Sequence, residues 1–331
     1  MSYDVRQFSA KADKQGLMAL WAECLNHPET ANRRYTALYE SNPGQKVHTW
    51  LLEDSKSTMP VGCMSLFERE VPWQGGVARV GIHFDVMVTK RHRTLGPAMQ
   101  LLNGLLNDVK NLELQALIGM PNELSVSLIK RAGYDFFGNL DRFCHLFKTG
   151  QFIINALLNV YSMHLLKKGL YFQTFKDAFE QPVSLNVFEQ EHIPYACHGF
   201  KASRPYMEWR YRDMGAPGTT LFFLSLKDRP LGYAIYRIEE RKGFIDNIGV
   251  FGQDRDLTPL LLRFIDKIRQ DGVDSLSASY LSNGPLAHLF RSLGFFRRES
   301  RGVYLKLIDP SLIPLFEDPS VWSFFDSDLD M

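Results

Sequence analysis

The sequence predicts an α/β protein built from two tandem domains, each a mixed β-sheet flanked by helices. Three observations lead to this fold class. The chain of 331 residues is longer than a usual single domain. Apolar stretches of strand length alternate with amphipathic segments of helical period. The order of these elements in the first half then recurs in the second half, as expected for an internal repeat.

The repeat is supported by fixed spacing. Four residues of the first half have counterparts 161 or 162 positions later: Asn122 with Asn283, Gly133 with Gly294, Arg93 with Arg255, and Pro97 with Pro259. We therefore expect a first domain over 1–150 and a second, degenerate copy over 179–312.

Helix breakers and alternating apolar residues define the elements of the first half. His27-Pro28 and Asn42-Pro43-Gly44 end two early helices. The expected order is a helix over 10–26, a short helix over 34–39, strands over 47–52, 61–67 and 77–88, a helix opening at Gly96, a strand over 116–120, a helix over 121–133 and a strand over 142–147.

The second half repeats this order. We expect a helix over 206–211, strands over 221–226, 232–238 and 244–250, a helix over 259–268, a strand over 275–280 and a helix over 283–293. Apolar residues at helical spacing over 152–172 predict an interdomain helix within 151–178, with an amphipathic membrane helix as the alternative. Residues 313–331 are expected to form an acidic, solvated C-terminal tail, with cation binding by its aspartates as the alternative.

Composition and charge exclude several classes. The net charge of +1 leaves no excess for binding nucleic acid, so any phosphate site is local. The four cysteines are scattered without a C-x-x-C pair, which favours a reducing compartment. No secretory signal and no apolar run of membrane-spanning length is evident. We expect a cytoplasmic protein without a membrane span, and the absence of a His pair at metal-ligand spacing predicts no metal centre.

One stretch, 85–106, combines an apolar strand, a basic turn and a helix. The helix carries an apolar stripe that includes Leu101, Leu102 and Leu105. Pro97 suits a first helical turn, where its missing N–H has no intrahelical partner. Free N–H groups at a helix N-terminus beside a basic turn favour phosphate, so this stretch predicts an anion site.

Arg93-Thr94-Leu95-Gly96-Pro97-Ala98 resembles the Arg/Gln-x-x-Gly-x-Gly/Ala signature of the GNAT superfamily of N-acetyltransferases, whose loop wraps the pyrophosphate of acetyl-CoA. Pro97 removes one N–H donor, and Ala98 stands where a second glycine is common. The resemblance implies that acetyl-CoA or another acyl-CoA is bound as substrate. The residues it implies for this are Val86, Met87, Val88, Arg91, His92, Arg93, Thr94, Leu95, Gly96, Pro97, Ala98 and Asn122.

The second copy differs at the corresponding loop. Thr258 replaces Gly96 and Leu260 replaces Ala98, which puts a branched side chain where the backbone must approach phosphate. Asp254 and Asp256 add negative charge that opposes an anion. The sequence therefore places the single CoA site in the first domain.

The sequence indicates the general base and the general acid less directly than it indicates the CoA loop. His83 and Asp85 are two positions apart on the strand before the loop, so they share a face and are the candidates for the general base. Counted back from the signature Arg, the usual base position falls nearer Ile82 unless a bulge shifts the register. The general-acid tyrosine of the family corresponds to Ile129 here and to Phe290 in the second half. Tyr35, Tyr39 and Tyr134 are the nearby alternatives for the general acid.

Together these features predict a CoA-dependent N-acyltransferase, most simply an N-acetyltransferase, that acylates an amine of a small molecule or an amino sugar. A GNAT-fold binding or regulatory protein without catalysis is the alternative, supported by the missing tyrosine. A Fem-type or mycothiol synthase-like transferase is a second alternative, since such tandem arrangements occur there too. The oligomeric state is left open.

Overall fold

The computed structural model divides the chain into two compact units. The first comprises Met1–Phe137, Gly302–Glu317 and Leu329–Met331, and the second Gly138–Arg301 and Asp318–Asp328. The structure describes residues 3–25, 28–44, 47–56, 59–73, 76–147, 169–176, 198–214, 218–227, 229–251 and 256–329. Within these ranges no helix is both long enough and apolar enough to cross a bilayer.

The first unit contains a mixed sheet covered by helices. Its strands are β1 Tyr3–Gln7, β2 Val47–Asp54, β3 Pro60–Trp73, β4 Gly76–Val88 and β5 Ala116–Gly119, joined by the end of β12, Phe296–Leu307. Its helices are Ala10–Cys24, Ala31–Tyr35 continued as the π-helix Thr36–Glu40, Leu95–Val109, Val126–Arg131 and Ile313–Phe316. The strand order is β1-β2-β3-β4-β5-β12, with β4 and β5 parallel and the other pairs antiparallel.

The helix Leu95–Val109 fixes the position of the predicted anion loop. Leu101, Leu102 and Leu105 are fully buried against Trp50 and other apolar residues of the sheet. Burying a leucine side chain is worth about 1.5–3 kcal/mol, so this face holds the helix, and with it the preceding loop, firmly on the sheet.

The second unit repeats this architecture. Its strands are β6 Asp135–Leu146, β7 Leu170–Lys176, β8 Thr220–Leu226, β9 Arg229–Glu239, β10 Lys242–Val250 and β11 Ser275–Leu281. The strand order is β6-β11-β10-β9-β8-β7, with β10 and β11 parallel. Its helices are Arg204–Glu208 continued as the π-helix Trp209–Asp213, Leu257–Gln270 and Pro285–Ser292.

The final strands of the two copies are exchanged, which the linear division at residue 150 did not anticipate. From Gly138 onward β6 belongs to the second unit and pairs with β11. From Gly302 onward β12 belongs to the first unit, where Tyr304–Leu307 pair with β5. Lys306 of this strand donates to the carbonyl oxygen of Ala132 at 2.8 Å, so a residue distant in sequence caps the helix Val126–Arg131.

Two expectations need correction. The predicted helix over 152–172 lies largely outside the described residues, but its last part is strand β7, because the open edge of β8 offers backbone partners to Leu170–Lys176. The predicted solvated tail is wrong for the residues that the structure describes. Trp322, Phe324, Phe325 and Leu329 are at most 3% exposed, because these apolar residues between the acidic ones pack into the protein.

Candidate active site

A cleft opens in the first unit where two parallel strands separate. β4 and β5 pair only from Val80 to Ile82, after which β5 ends at Gly119 while β4 runs on to Val88. The cleft contains a cavity of about 350 Å³. Four of the predicted site residues line it: His83, Asp85, Val86 and Asn122. The structure thus brings the predicted catalytic pair to one cavity.

A β-bulge gives the end of β4 its shape. Cys63 pairs with Met87 and Ser65 with Phe84, so Asp85 and Val86 together face the single residue Met64. Asp85 has a φ of +50°, in the left-handed region, which Asp adopts more readily than most residues. Bulges re-aim side chains. A bulge is therefore present on this strand, and which side chain acts as the base stays a prediction.

Asp85 forms a buried ion pair with Arg34. The Arg34 Nη2 lies 2.7 Å from Asp85 Oδ1, and Nε lies 3.4 Å from Oδ2. The Asp85 side chain is 4% exposed and that of Arg34 is 18% exposed. The Arg34 guanidinium also lies over the ring of Trp21, 5.7 Å from its centroid. A carboxylate this buried needs such a partner, so Arg34 stabilises the charged form of Asp85 inside the cavity wall.

His83 is buried beside Tyr134. Its Nε2 lies 2.6 Å from the Tyr134 hydroxyl, whereas its Nδ1 has no hydrogen-bond partner among the described residues. Burial lowers the pKa of His83 to about 4, because the charged ring loses its hydration. Burial also raises the pKa of the Tyr134 phenol, so both side chains are neutral near pH 7.

The predicted phosphate loop keeps backbone donors available. No side chain caps the helix that begins at Leu95, and the first N–H groups of a helix have no partner within it. A Cβ built on Gly96 would meet no atom within 4 Å, so the space in front of the loop is open. Pro97 is buried in the first turn, as the sequence predicted.

Two basic residues of the loop make hydrogen bonds that help to hold it. His92 Nδ1 lies 2.9 Å from the Tyr3 hydroxyl, and Arg93 Nε donates to the Val88 carbonyl oxygen at 3.1 Å. Lys90, Arg91 and Arg93 are exposed, as are Thr94, Leu95 and Gly96. An anion at this loop would meet backbone N–H groups and these positive charges.

The remaining predicted cofactor residues have different surroundings. Met87 and Val88 pair with β3, whereas Val86 lies in the bulge and is 39% exposed. Ala98 packs partly buried on the apolar core of the first unit. Asn122 Oδ1 accepts hydrogen bonds from the backbone N–H and the hydroxyl of Ser125, both at 3.0 Å, which shapes the turn at the cavity rim.

The residue at the position of the family's general-acid tyrosine, Ile129, has apolar surroundings in the structure. Ile129 is 3% exposed and lines the cavity. Tyr39 bonds Thr49 at 2.6 Å, and Tyr35 lies under the ammonium of Lys14. The sequence analysis gave Arg34 no role in the site and named Tyr134 only as one of three alternatives for the general acid. A Gly-aromatic pair at a helix end was the only signal for Tyr134, and no local signal pointed to Arg34.

The corresponding cleft of the second unit is filled. β10 and β11 also separate, after Ile245 and Ala278, and β10 carries an equivalent bulge at Asp246. Phe325 bridges to Tyr280 of β11, and the Ser327 hydroxyl donates to the Asp246 carbonyl oxygen. The segment Asp318–Asp328 therefore takes up the space between these strands, and a cavity of only about 10 Å³ lies beside it.

The second helix N-terminus also differs from the first. Asp256, which is 7% exposed, precedes the helix Leu257–Gln270 and lies 3.6 Å from Arg229. Leu257 and Leu260 are buried. Asp254 and Arg255 lie outside the described residues. A buried carboxylate therefore lies at this helix N-terminus, where negative charge is favoured by the helix dipole.

Comparison with known proteins bears on the fold and the first unit. Residues 4–137 match the sequence model of the family described as acetyltransferase (GNAT) domain. No curated protein sequence matches the chain. The solved structures that resemble it are 11–13% identical in the three cases below, so they bear on the fold alone.

A probable N-acyltransferase of unknown function from Enterococcus faecalis matches 95% of this chain and 74% of its own, with a TM-score of 0.68 and 11% identity. A GCN5-related N-acetyltransferase from Anabaena variabilis matches 93% of this chain and 73% of its own, with a TM-score of 0.66 and 13% identity. A tandem GNAT protein from the clavulanic acid biosynthesis pathway matches 93% of this chain and 99% of its own, with a TM-score of 0.55 and 11% identity. The predicted fold class and the resemblance to GNAT acetyltransferases are confirmed.

Proposed function

Because residues 4–137 carry an acetyltransferase (GNAT) domain, we propose that the protein is a CoA-dependent N-acyltransferase, and most simply an N-acetyltransferase. The observation that carries the proposal is the open cleft between β4 and β5, which adjoins an uncapped helix N-terminus. The first unit has both features open, whereas the second unit has its cleft filled. An acyl-CoA with its pyrophosphate at Gly96 and its thioester near Val86 fits this arrangement.

In the proposed reaction the nitrogen of an amine attacks the thioester carbonyl carbon, the C–S bond breaks, and CoA leaves as a thiolate. The backbone N–H of Val86, in the bulge, would stabilise the developing negative charge on the carbonyl oxygen. Asp85 would accept the proton of the amine, directly or through a water molecule. The ion pair with Arg34 fixes the position of the Asp85 carboxylate in the cavity wall.

The acceptor is proposed to be a small molecule or an amino sugar, because a cavity of about 350 Å³ is at the small end of ligand pockets. The apolar Ile129 at the usual acid position supports the rival proposal, a protein that binds acyl-CoA without transferring the acyl group.

A screen of amine acceptors distinguishes an N-acyltransferase from a protein that only binds acyl-CoA. Purified protein is incubated with acetyl-CoA, or with a longer acyl-CoA, and a panel of amines and amino sugars, and free thiol is measured with a colorimetric reagent. We expect amine-dependent thiol release with at least one acceptor class. Binding of acyl-CoA without release across the panel would favour the non-catalytic protein.

The second prediction concerns stoichiometry. We expect one CoA per chain at saturation, bound to the first unit, because Asp318–Asp328 fills the second cleft and Asp256 opposes phosphate. Native mass spectrometry of the protein with excess CoA measures this number. Two equivalent CoA molecules per chain would contradict the assignment of the second unit as a non-binding copy.

A further inference from the structure

The cavity between β4 and β5 has a mainly apolar lining. Leu25, Val86, Met120 and Pro121 line it and keep accessible surface, and Val86 is 39% exposed. The helix Val126–Arg131 adds buried apolar side chains to the same lining. A substrate group that lies against these side chains leaves water for an apolar surface, which favours an apolar group over a hydrated one.

The polar side chains of this lining have partners within the protein. Asp85 is paired with Arg34. Asn122 Oδ1 accepts hydrogen bonds from the backbone N–H and the hydroxyl of Ser125. The Nε2 of His83 is bonded to a buried phenol, and its Nδ1 is itself buried. An amino sugar needs a partner for each hydroxyl that it buries, because an unpaired buried hydroxyl is unfavourable. These side chains offer few such partners.

The charges of the lining balance each other. Among the described residues that line the cavity, Arg34 and Asp85 are the charged ones near pH 7, since burial lowers the pKa of His83 to about 4. An acceptor with one amino group can place its nitrogen at Asp85. A second cationic group nearby would face the Arg34 guanidinium, which repels it. The lining therefore favours a monoamine.

We propose that the acceptor is a primary monoamine on an apolar alkyl or aryl body, and that the Val86 side chain is a specificity-determining contact for this body. The proposal rests on the proposed function and narrows its acceptor, and the bonds formed and broken are those of the proposed reaction. In that reaction the nitrogen lies at Asp85. The body attached to it then lies against the adjoining wall, to which Val86 of the same bulge belongs.

Two matched pairs of acceptors test the class. Cyclohexylamine and glucosamine both carry one amine on a six-membered ring but differ in hydroxyls, and hexylamine and hexane-1,6-diamine differ in a second amine. Thiol release with saturating acetyl-CoA gives kcat/KM for each. We expect cyclohexylamine to exceed glucosamine, and hexylamine to exceed the diamine, by at least about tenfold. Glucosamine or the diamine as the equal or better acceptor of its pair would overturn the proposal and leave the proposed function standing.

Val86→Thr tests the contact, because it keeps the shape of the side chain and replaces one methyl group by a hydroxyl. We expect it to raise KM for cyclohexylamine and hexylamine by about 3- to 10-fold, with a smaller change in kcat. Val77→Thr is the matched control, since Val77 lies on the same strand, is 52% exposed and is not part of the cavity lining. An unchanged KM in Val86→Thr, or an equal rise in both variants, would refute the role of Val86.

Two further measurements separate the remaining outcomes. With hexanoyl-CoA in place of acetyl-CoA, an effect of Val86→Thr confined to the KM of the longer donor would show that the apolar wall binds the acyl chain, which overturns the proposal. If no amine releases thiol, the proposed function fails, and saturation-transfer NMR of the same amines with CoA-saturated protein tests the class by itself. Binding of cyclohexylamine but not glucosamine would support the apolar acceptor site, and failure of cyclohexylamine to bind would overturn it.

Discussion

Replacing Gly96 by valine is expected to weaken CoA binding by about 10- to 100-fold. The backbone at Gly96 faces open space, and a branched side chain there would keep the pyrophosphate from the free N–H groups of the first helical turn. A hydrogen bond to a charged group contributes about 1.5–3 kcal/mol, and each 1.4 kcal/mol is about tenfold in affinity. Calorimetric titration of CoA into both proteins measures the difference.

The control for this variant is Asn107→Val, which places the same β-branched residue at an exposed position of the same helix. It shows whether a β-branched residue elsewhere on this helix changes CoA affinity. We expect its CoA affinity to equal that of the wild type. Equal affinities of Gly96→Val and wild type would show that the pyrophosphate binds elsewhere.

Asp85→Asn is expected to lower kcat by roughly 10²–10⁴-fold, the usual contribution of a general base, and to leave CoA affinity nearly unchanged. The amide keeps the shape of the side chain but cannot take the proton of the amine. In this variant Arg34 no longer has the carboxylate charge that it neutralises in the wild type. Steady-state kinetics with a saturating acceptor, together with CoA titration, separate turnover from binding.

The second copy offers a matched control. Asp246 occupies the equivalent bulge of β10 and is ion-paired with Arg237. Asp246→Asn removes the same kind of buried, paired carboxylate from a place without a proposed role in catalysis. We expect its turnover to match that of the wild type. An equal loss in both variants would show that the effect of Asp85→Asn is structural.

The pH profiles of the two variants, compared with that of the wild type, distinguish the two candidate bases. A histidine base in water would lose activity below about pH 6.5. Because burial lowers the pKa of His83 to about 4, protonation of this ring would reduce activity only as the pH falls through about 4. Near-normal turnover of Asp85→Asn, with an acid limb near pH 4 that vanishes in His83→Gln, would assign the base to His83.

The sequence alone determined the features that are encoded locally. Apolar periodicity predicted most helices and strands of both halves, although not β1, β7 or β12. Gly133 and Gly294 both adopt the left-handed backbone that ends their helices. The proposed anion loop is also a local signal, since Gly96, Pro97 and the basic turn lie within a few residues. Thr258 and Asp256 predict that the second copy opposes phosphate. Each of these signals depends on neighbours in the chain.

The tertiary structure decided what depends on distant residues. Arg34 with Asp85 and His83 with Tyr134 are pairs 51 positions apart. The exchange of β6 and β12 and the filling of the second cleft by Asp318–Asp328 also join segments that are distant in sequence. Such contacts depend on which strand edges are open and which side chains need a partner when buried, and these conditions exist only once the sheets have formed.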